Sequence, residues 1–323
     1  MHARWKKALG LVLAATCAWA GAQDNYPNRA IRLVVGFAPG GGGDTVARIM
    51  GEHMSRTLGQ PVVVENRPGA GTTLAPTFVA STPPDGYTLL LAPDSVFGPD
   101  KVMWAPNARY DETSFTPISK WVSTFFVMAA HPGFGVKNFA ELRAKVRAGN
   151  NELFVASTQG LYPAMIMDSL NRLSGLKLNQ VPYKGGAPAV LAVVAGEVPV
   201  TFAVPSSVAP MVREGKLVAL GITAGQRSNL TEGIPTLAEQ GLKDFDVGYW
   251  FGLAGPAGLP PAVSQKLFDA SAKALADPEV QRKLRTAGYD ITPSRSLTEF
   301  RTESTQQGAA LRRLVEQLGI KGN

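Results

Sequence analysis

The feature that most constrains the fold of this chain is a regular alternation of short apolar segments with amphipathic ones. Runs rich in Val, Ile and Leu predict strands, and apolar residues spaced three and four apart predict helices. The first such series predicts strands at residues 31–37, 61–65 and 87–92. A helix is predicted between each pair of strands, the first over residues 44–58 and the second ending at about residue 81. This βαβαβ order predicts a parallel sheet with right-handed helical crossovers.

The alternation resumes downstream and predicts a second sheet, with strands at 153–156, 180–182, 198–202 and 218–222. Three helices are predicted to close the chain, over residues 261–275, 278–287 and 297–318. Two apolar segments, 125–129 and 247–252, are candidates to cross between the sheets. We therefore predict an α/β fold of two lobes, each a mostly parallel sheet flanked by helices. Lobe 1 would contain residues 23–124 and 250–323, and lobe 2 would contain residues 125–249.

The first 22 residues predict a secretory signal peptide rather than a part of this fold. A basic start is followed by thirteen apolar residues, Ala8 to Ala20, a run that is too short to span a bilayer comfortably. Ala20-Gly21-Ala22 fits the small-residue cleavage pattern. We predict cleavage after Ala22, with cleavage after Ala20 as the alternative, and we expect the mature protein to be exported and soluble.

Removal of this segment changes what the composition implies. The whole chain has 32 Lys+Arg against 25 Asp+Glu, a net charge of +7, and one Cys. Three basic residues and no acids lie in the segment, so 29 positive charges remain against 25 negative ones, or +4. Cys17 is also removed, which excludes a disulfide framework and a multi-Cys metal site. A lipoprotein acylated at Cys17 is the alternative, disfavoured because Thr16 precedes the Cys.

The dispersed basic residues argue against nucleic-acid binding. Candidates for catalysis are equally sparse. The sequence has no Gly-x-Ser-x-Gly elbow, and no His and carboxylate cluster has the spacing of metal ligands. His53 and His131 are expected to be structural. We therefore expect a protein that is not an enzyme and that has no cofactor and no metal.

The most informative loop is the segment Phe37-Ala38-Pro39-Gly40-Gly41-Gly42-Gly43-Asp44, between a predicted strand and a predicted helix. Glycines let backbone N–H groups turn toward a ligand, and a helix start adds unpaired donors with a partial positive charge. The pattern is neither a dinucleotide fingerprint nor a Walker loop. Asp44 is predicted to be the helix N-cap, and its charge favours a bound carboxylate over a phosphate. A tight turn without a ligand is the alternative.

Further small-residue or hydroxyl-bearing loops follow other predicted strands. In an open parallel sheet, the carboxyl ends of the strands face one crevice, and ligands bind there. The loops therefore predict a cleft between two lobes that holds a small anion. They are Asp94 and Ser95, Ser157 to Tyr162, Tyr183 to Pro188, and Val204 to Ser207.

A series of short motifs runs in order along nearly the whole of the chain after the signal peptide. The motifs are FAPGG (37–41), PVVVENRPGAG (61–71), PDGYTLL (84–90), VPYKGGAP (181–188), EGKL (214–217), PTLAE (235–239), WFGL (250–253) and PAG (256–258). Taken together they resemble the Bug-type receptors, which are the solute-binding proteins of tripartite tricarboxylate transporters. No single motif is decisive, but the ordered set is specific.

The resemblance implies a monomeric, two-lobed Venus-flytrap receptor of the periplasm. Such a receptor holds a small carboxylate between its lobes and delivers it to membrane permease subunits. By position, the lobe 1 ligand contacts would be Phe37, Ala38, Pro39, Gly40, Gly41, Asp94 and Ser95. The lobe 2 contacts would be Ser157, Thr158, Gly160, Leu161, Tyr162, Tyr183, Ala203, Val204, Pro205 and Ser206.

The sequence departs from the family pattern in two places. The segment 161–165 lacks a His that many relatives have there, and Ala203 stands where many have an Asp. Loss of that acid removes a partner for an α-amino group, so we expect amino acids to be poor ligands. Four aromatic residues would make a less polar pocket and favour an aromatic or bulky carboxylate, unless they pack in the core: Phe97, Trp104, Tyr162 and Trp250.

Two other function classes stay open at the level of sequence. A receptor of the same fold that serves a signalling partner would need the same ligand-dependent surface as a transport receptor. An exported hydrolase is disfavoured, because neither a nucleophile nor a metal set is evident.

Overall fold

The computed structural model describes residues 26–100, 108–158, 161–183 and 185–319. Within these ranges the strands are β1 (Ile31–Val35), β2 (Val62–Asn66), β3 (Thr88–Pro93), β4 (Phe115–Phe125), β5 (Val127–Ala130), β6 (Glu152–Thr158), β7 (Lys177–Tyr183), β8 (Val200–Ala203), β9 (Val218–Ile222), β10 (Gly248–Pro256) and β11 (Asp290–Ile291). The predicted signal peptide lies outside the described residues.

The helices in the same ranges are α1 (Gly42–Leu58), α2 (Leu74–Ala80), α3 (Phe139–Ala148), α4 (Leu161–Ser174), α5 (Gly186–Val194), α6 (Pro205–Arg213), α7 (Pro261–Ala276), α8 (Pro278–Thr286) and α9 (Leu297–Leu318). In helix α1 the helical spacing of apolar residues in the sequence corresponds to one buried face, which contains Val46, Met50 and Met54. It ends where Gly59 adopts φ of 69°, a left-handed conformation that glycine accepts without strain.

The strands form two sheets, as the predicted two-lobed α/β fold requires. The first has the order β11-β4-β10-β3-β1-β2, and the second has the order β7-β6-β8-β5-β9. β1 is parallel to β2 and β3, whereas β10 is antiparallel to both β3 and β4. In the second sheet β6 is parallel to β7 and β8, whereas β5 is antiparallel to β8 and β9.

Both sheets are therefore mixed, which refines the expectation of mostly parallel sheets. The physical reason is the path of the chain. β5 follows β4 after the single residue Phe126, so it enters the second sheet against the direction of its neighbours. β10 likewise returns to the first sheet between two strands that run against it.

The predicted strand 125–129 is two strands that belong to different sheets, and the sequence did not indicate β4 or β11. β4 is eleven residues long, and its burial follows no period of two because both of its faces are covered. Polar residues such as Ser119 and Thr124 are buried along it, which hides the strand in a hydropathy pattern.

The hydroxyl of Thr223 joins the two segments that connect the sheets, one at Phe126 between β4 and β5 and the other at Val247 before β10. The N–H of Phe126 donates to Thr223 Oγ1 at 2.9 Å, and that hydroxyl donates to the carbonyl of Val247 at 2.6 Å. Both connections are therefore fixed at one buried point, from which the chain enters β5 on one side and β10 on the other.

The C-terminal helix α9 contacts the cores of both sheets. Phe300 packs with Phe97 and Trp250 in the core of the first sheet, and Val315 is buried with Met165 in the core of the second. One continuous helix thus spans the two halves of the molecule. The predicted boundary, which assigns residues 250–323 to lobe 1 alone, does not include this second contact.

Candidate functional site

The glycine loop after β1 is closed by its own backbone. The N–H of Gly41 donates to the carbonyl of Ala38 at 3.0 Å, and the N–H of Gly40 donates to Asp44 Oδ2 at 2.9 Å. Ala38, Pro39 and Gly40 are exposed, and Gly40 has φ of 78°. The N–H groups of Gly40 and Gly41 are thus occupied within the loop.

Asp44 holds this loop in place, although it is not the N-cap that the sequence predicts. The glycines allow α1 to begin at Gly42, with Gly41 as its N-cap, and Asp44 lies in the first turn. Its carboxylate also accepts hydrogen bonds from Arg48 Nε at 2.9 Å and Asn66 Nδ2 at 2.8 Å. Burial alone would raise the pKa of Asp44, but these hydrogen bonds lower it below its usual value.

Asn66 connects the glycine loop to the motif at 61–71. Its Nδ2 also donates to the carbonyl of Phe37 at 3.0 Å, so one amide group fixes both ends of the loop. Asn66 ends β2, which is paired in register with β1, and this pairing brings the two motifs together. The motifs at 37–41 and 61–71 are thus parts of one structure at the carboxyl ends of β1 and β2.

Three helices that begin at the carboxyl ends of strands have no side-chain cap. They are α1, α5 and α6, whose N-caps are Gly41, Gly185 and Val204. α3, α8 and α9 are capped by Asn138, Asp277 and Ser296, whereas α2 and α7 also lack a side-chain cap. Because the first N–H groups of a helix have no partner within it, the uncapped starts offer backbone donors and a partial positive charge.

Gly288 and Tyr289 join the starts of α1 and α6 across the two sheets. A Cβ atom placed on Gly288 would lie 2.9 Å from the backbone nitrogen of Ser206, and one placed on Gly42 would lie 2.3 Å from the Tyr289 hydroxyl. Backbone therefore approaches backbone closely at this point. Two uncapped helix starts, one beside each sheet, lie next to the same pair of residues.

Two hydrogen bonds also join the two halves of the molecule. The Tyr162 hydroxyl in the first turn of α4 donates to Asp94 Oδ1, just after β3. Ser228 Oγ, which follows β9, donates to Asp290 Oδ2 in β11 at 2.7 Å. The residues of each pair are 68 and 62 positions apart in the chain, so only the fold brings them together.

Asp94 is a buried carboxyl group with donors around it. It receives the Tyr162 hydroxyl and backbone hydrogen bonds from Ser95 and Trp250. Burial raises the pKa of Asp94 to about 7, although these hydrogen bonds oppose the rise. The sequence placed Asp94 and Tyr162 on opposite walls of a cleft, and the structure brings the two side chains into direct contact.

Aromatic rings connect the glycine loop to α4. Phe37 packs on Phe251 at 5.3 Å between ring centroids, Phe251 lies 5.4 Å from Tyr249, and Tyr249 lies 5.0 Å from Tyr162. Tyr289 also contacts Phe251 and is hydrogen-bonded to Tyr249. The floor between the sheets is therefore aromatic, with phenol hydroxyls from three different segments.

The other predicted aromatic residues do not line this floor. Trp250 is buried and stacks on Phe97 at 5.7 Å, and both rings contact Phe300 of α9. Since neighbouring residues on a strand point to opposite faces, Trp250 faces away from Tyr249 and Phe251. Phe97 thus packs in the core, Trp250 does so while also lining the cavity described below, and Trp104 lies outside the described residues.

The lobe 2 loops place their predicted residues unevenly. Ser157 is fully buried, and its hydroxyl accepts a hydrogen bond from Gln180 Nε2 at 2.8 Å; the carbonyl of Thr158 accepts from the same group. Tyr183 ends β7 and is half-buried, and Leu161 begins α4. Ala203 ends β8 and is buried, Pro205 begins α6, and Ser206 is exposed. Gly160 lies outside the described residues.

A separate cavity of about 930 Å³ lies beside the connecting segments, between β4, β10, the loop after β9, and α9. Its lining includes Lys120, Arg227 and Gln307, and it reaches Asp94 and Tyr249. It contains none of the glycine-loop residues and none of the residues at the start of α6. Among the described residues predicted to contact the ligand, Asp94 lines this cavity.

The two histidines that lie after the predicted signal peptide, His53 and His131, have structural surroundings. His53 Nε2 lies 3.3 Å from Asp277 Oδ2, which joins α1 to the start of α8. His131 Nδ1 accepts the N–H of Gly133 in a tight turn. Among the described residues, no group of His, Cys, Asp and Glu has the arrangement of a metal site, and no helix is long and apolar enough to span a membrane.

Several residues of the site carry no sequence signal that points to it. Tyr249, Gly288 and Tyr289 occupy the region between the sheets, but they look like ordinary strand and turn residues in the sequence. Asn66 was identified only as part of a motif. One sequence signal could have predicted that Asn66 and Asp44 meet. Both are polar residues that follow neighbouring parallel strands, and the ends of such strands lie at the same edge of a sheet.

Comparison with known proteins agrees with the fold and the motifs. A family model described as "Tripartite tricarboxylate transporter family receptor" matches residues 46–320. A UPF0065 protein of Cupriavidus necator is 33% identical over 321 residues, which is 97% of this chain and 94% of that protein. Protein BugT of Bordetella pertussis is 32% identical over 242 residues, 74% of each chain.

Solved structures show the same architecture. MatC from Rhodopseudomonas palustris with bound malate has a TM-score of 0.74 and 32% identity, and the match covers 90% of this chain and 100% of that one. Rpa4515 from R. palustris with adipate has a TM-score of 0.79 and 25% identity, covering 92% and 100%. On sequence and structure together, the chain belongs to the tripartite tricarboxylate transporter receptor family of periplasmic solute-binding proteins.

Proposed function

We propose that this protein is an extracytoplasmic receptor that captures a small carboxylate between its lobes and delivers it to the permease subunits of a tripartite transporter. One observation carries the proposal: uncapped starts of α1 and α6, one beside each sheet, lie next to Gly288 and Tyr289. Backbone N–H groups and helix dipoles at such a position favour a bound anion. This attraction for an anion does not depend on the net charge of the protein, which is only +4 after removal of the predicted signal peptide.

The preferred ligands are aliphatic carboxylates with two acid groups. MatC with malate and Rpa4515 with adipate are similar over most of this chain. An aromatic ligand, expected from the sequence, loses support because Phe97 and Trp250 pack in the core. Amino acids are expected to bind more weakly, because Ala203 provides no acid and Tyr162 already occupies Asp94.

The mechanism is closure of two lobes around the ligand. A ligand shifts the molecule toward the closed form only to the extent that it binds that form more tightly. Donors from α1 and α6 can reach the same ligand only when the lobes are together. We propose that the lobes meet near residues 125 and 248, where Thr223 joins the connecting segments, and that a monomer is exported to the periplasm by cleavage after Ala22.

A thermal-shift panel on the purified mature protein tests the proposal. Malate, adipate, benzoate, glutamate and a non-acidic sugar are each added at increasing concentration. A ligand at one hundred times its Kd adds about 2.7 kcal/mol to the free energy of unfolding. For a chain of this size that corresponds to a rise in Tm of about 5–10 °C. Dicarboxylates should give the largest rise and the sugar none.

The outcomes separate the rival functions. If no carboxylate raises Tm, the proposed ligand class is wrong, and if glutamate gives the largest rise, the inference from Ala203 is wrong. Turnover of any ligand by the purified protein would contradict a receptor. Co-purification of the ligand-bound form with a sensor protein, and not with a permease, would favour the signalling role.

A further inference from the structure

The contact between Asp94 and Tyr162 joins an acid of one half of the molecule to a phenol of the other. It places a carboxyl group between the two halves of the molecule, where lobe closure would bury it. Among the described residues, no Lys, Arg or His forms an ion pair with Asp94. Lys120 lines the same cavity, but its ammonium is bonded to Glu303 Oε1 at 2.6 Å.

Among the described residues, the groups that face Asp94 from the neighbouring elements are acids and phenols. Asp100, a second buried acid, lies close by and is held by the Tyr110 hydroxyl at 2.6 Å. Tyr162 faces Asp94 from α4, and Tyr249 faces it from β10, with Tyr289 hydrogen-bonded to Tyr249. Two phenols and a second carboxyl group therefore lie next to Asp94.

An ionised Asp94 in this position would repel a carboxylate ligand and would have to be desolvated when the lobes close. Burial of an unpaired charge is costly, and a titratable group avoids the cost by becoming neutral. A protonated Asp94 still accepts the Tyr162 hydroxyl through one oxygen and carries its proton on the other.

We propose that Asp94 and Tyr162 form a proton-dependent clasp between the lobes, so that the receptor takes up one proton at Asp94 when it closes on an anionic ligand. The clasp is a specificity element of the proposed receptor function, on which this inference rests. It favours carboxylates by removing the negative charge of Asp94 from the contact between the lobes.

The size of the effect follows from proton linkage. Burial raises the pKa of Asp94 to about 7 with the clasp formed, whereas a solvated Asp has a pKa of about 3.9. Closure should then take up about 0.9 proton at pH 6 and about 0.1 proton at pH 8. Ligand affinity should accordingly be roughly tenfold higher at pH 6 than at pH 8.

Calorimetry of the mature protein with adipate and with malate tests the clasp. Each titration is run at pH 6 and pH 8 in two buffers of different ionisation enthalpy, which gives the number of protons taken up. Asp94→Asn keeps the size of the side chain and removes its titration, so its affinity should lose the tenfold pH dependence and its proton uptake should fall to that of the ligand alone.

Two further variants make the test specific. Tyr162→Phe keeps the ring on Tyr249 but loses the hydroxyl, so affinity should fall about two- to tenfold at pH 6. Asp85→Asn is the control, because Asp85 is an exposed acid that pairs with Arg29 in lobe 1 and does not contact Asp94 or bridge the sheets. It should keep the pH dependence of the wild type.

Equal proton uptake by the wild type and Asp94→Asn would overturn the clasp even if both bind the ligand. If neither dicarboxylate binds, the proposed ligand class fails, and the clasp is tested without ligand. Spin labels attached at the exposed positions of Lys273 in lobe 1 and Glu214 in lobe 2 then report the distance between the lobes. With Asp94 present, the distance between the labels should become shorter when the pH falls from 8 to 5.5. With Asp94→Asn it should not change. A wild-type distribution that is independent of pH would refute the clasp.

Discussion

The close approach of Gly288 to Ser206 gives a prediction with an internal control. Gly288 has φ of 88°, and a Cβ atom on it would lie 2.9 Å from the nitrogen of Ser206 across the two sheets. Gly258 has φ of 89°, but the nearest atom to its Cβ position is Pro84 Cγ at 4.0 Å. Alanine at either position therefore meets the same backbone strain, and only Gly288→Ala meets the opposite lobe.

The magnitude separates into two parts. The left-handed conformation costs an alanine about 1–2 kcal/mol, so both variants should lose similar unfolding free energy. In Gly288→Ala the lobes must also separate by about 0.5 Å, since Cβ atoms essentially never approach so closely. This would weaken neighbouring bonds such as Ser228 to Asp290 by a total of about 1.4 kcal/mol, which is roughly tenfold in Kd.

Calorimetry with the carboxylate that gives the largest thermal shift measures this difference. Gly258→Ala should bind with wild-type affinity, and Gly288→Ala should bind about tenfold more weakly. Equal affinities would refute the idea that Gly288 and Ser206 meet in the ligand-bound form. A loss of affinity in both variants would mean that strain in lobe 1, and not contact between the lobes, controls binding.

Three further predictions concern residues with defined local roles. Asp44→Ala should lose about 3 kcal/mol of unfolding free energy in urea, because the hydrogen bonds from Gly40, Arg48 and Asn66 are lost at about 1 kcal/mol each, whereas exposed Asp269→Ala should lose less than about 0.5 kcal/mol. Gly308→Ala should destabilise the protein by at least about 1 kcal/mol despite the helix preference for Ala, because its Cβ would lie 2.0 Å from the Phe97 carbonyl; a rise in Tm would contradict this. Burial raises the pKa of Asp100 to about 6, above about 3.9 in an unfolded chain, so wild-type stability should fall relative to Asp100→Asn by about 2–3 kcal/mol between pH 4 and pH 7, as urea titrations at each pH can show.

The sequence was sufficient to predict those helices and strands whose limits depend on neighbouring residues alone. β9 is residue for residue the predicted segment 218–222, and α1 differs from its prediction by two residues at its start. Hydrophobic periodicity and a terminating Gly59 carry that information within a few neighbouring positions. β4 was missed because a strand that is covered on both faces and contains buried Ser119 and Thr124 has no readable alternation.

The site was predictable as a set of loops but not as a set of contacts. Gly40, Asp94, Ser206 and Tyr162 were all placed near a cleft because they follow predicted strands. Their partners depend on the packing of the sheets, and Tyr162 meets Asp94 over a separation of 68 residues. Asp44 was predicted as an N-cap from spacing alone, because the early start of α1 depends on how four successive glycines fold.

The position of a bound dicarboxylate in a crystal structure of the complex tests the central claim most directly. We predict density for the ligand between the starts of α1 and α6, within hydrogen-bond distance of backbone N–H groups from both lobes, with Tyr162 on Asp94. Density in the cavity lined by Lys120 and Gln307, or contact with one lobe only, would contradict capture at the starts of α1 and α6.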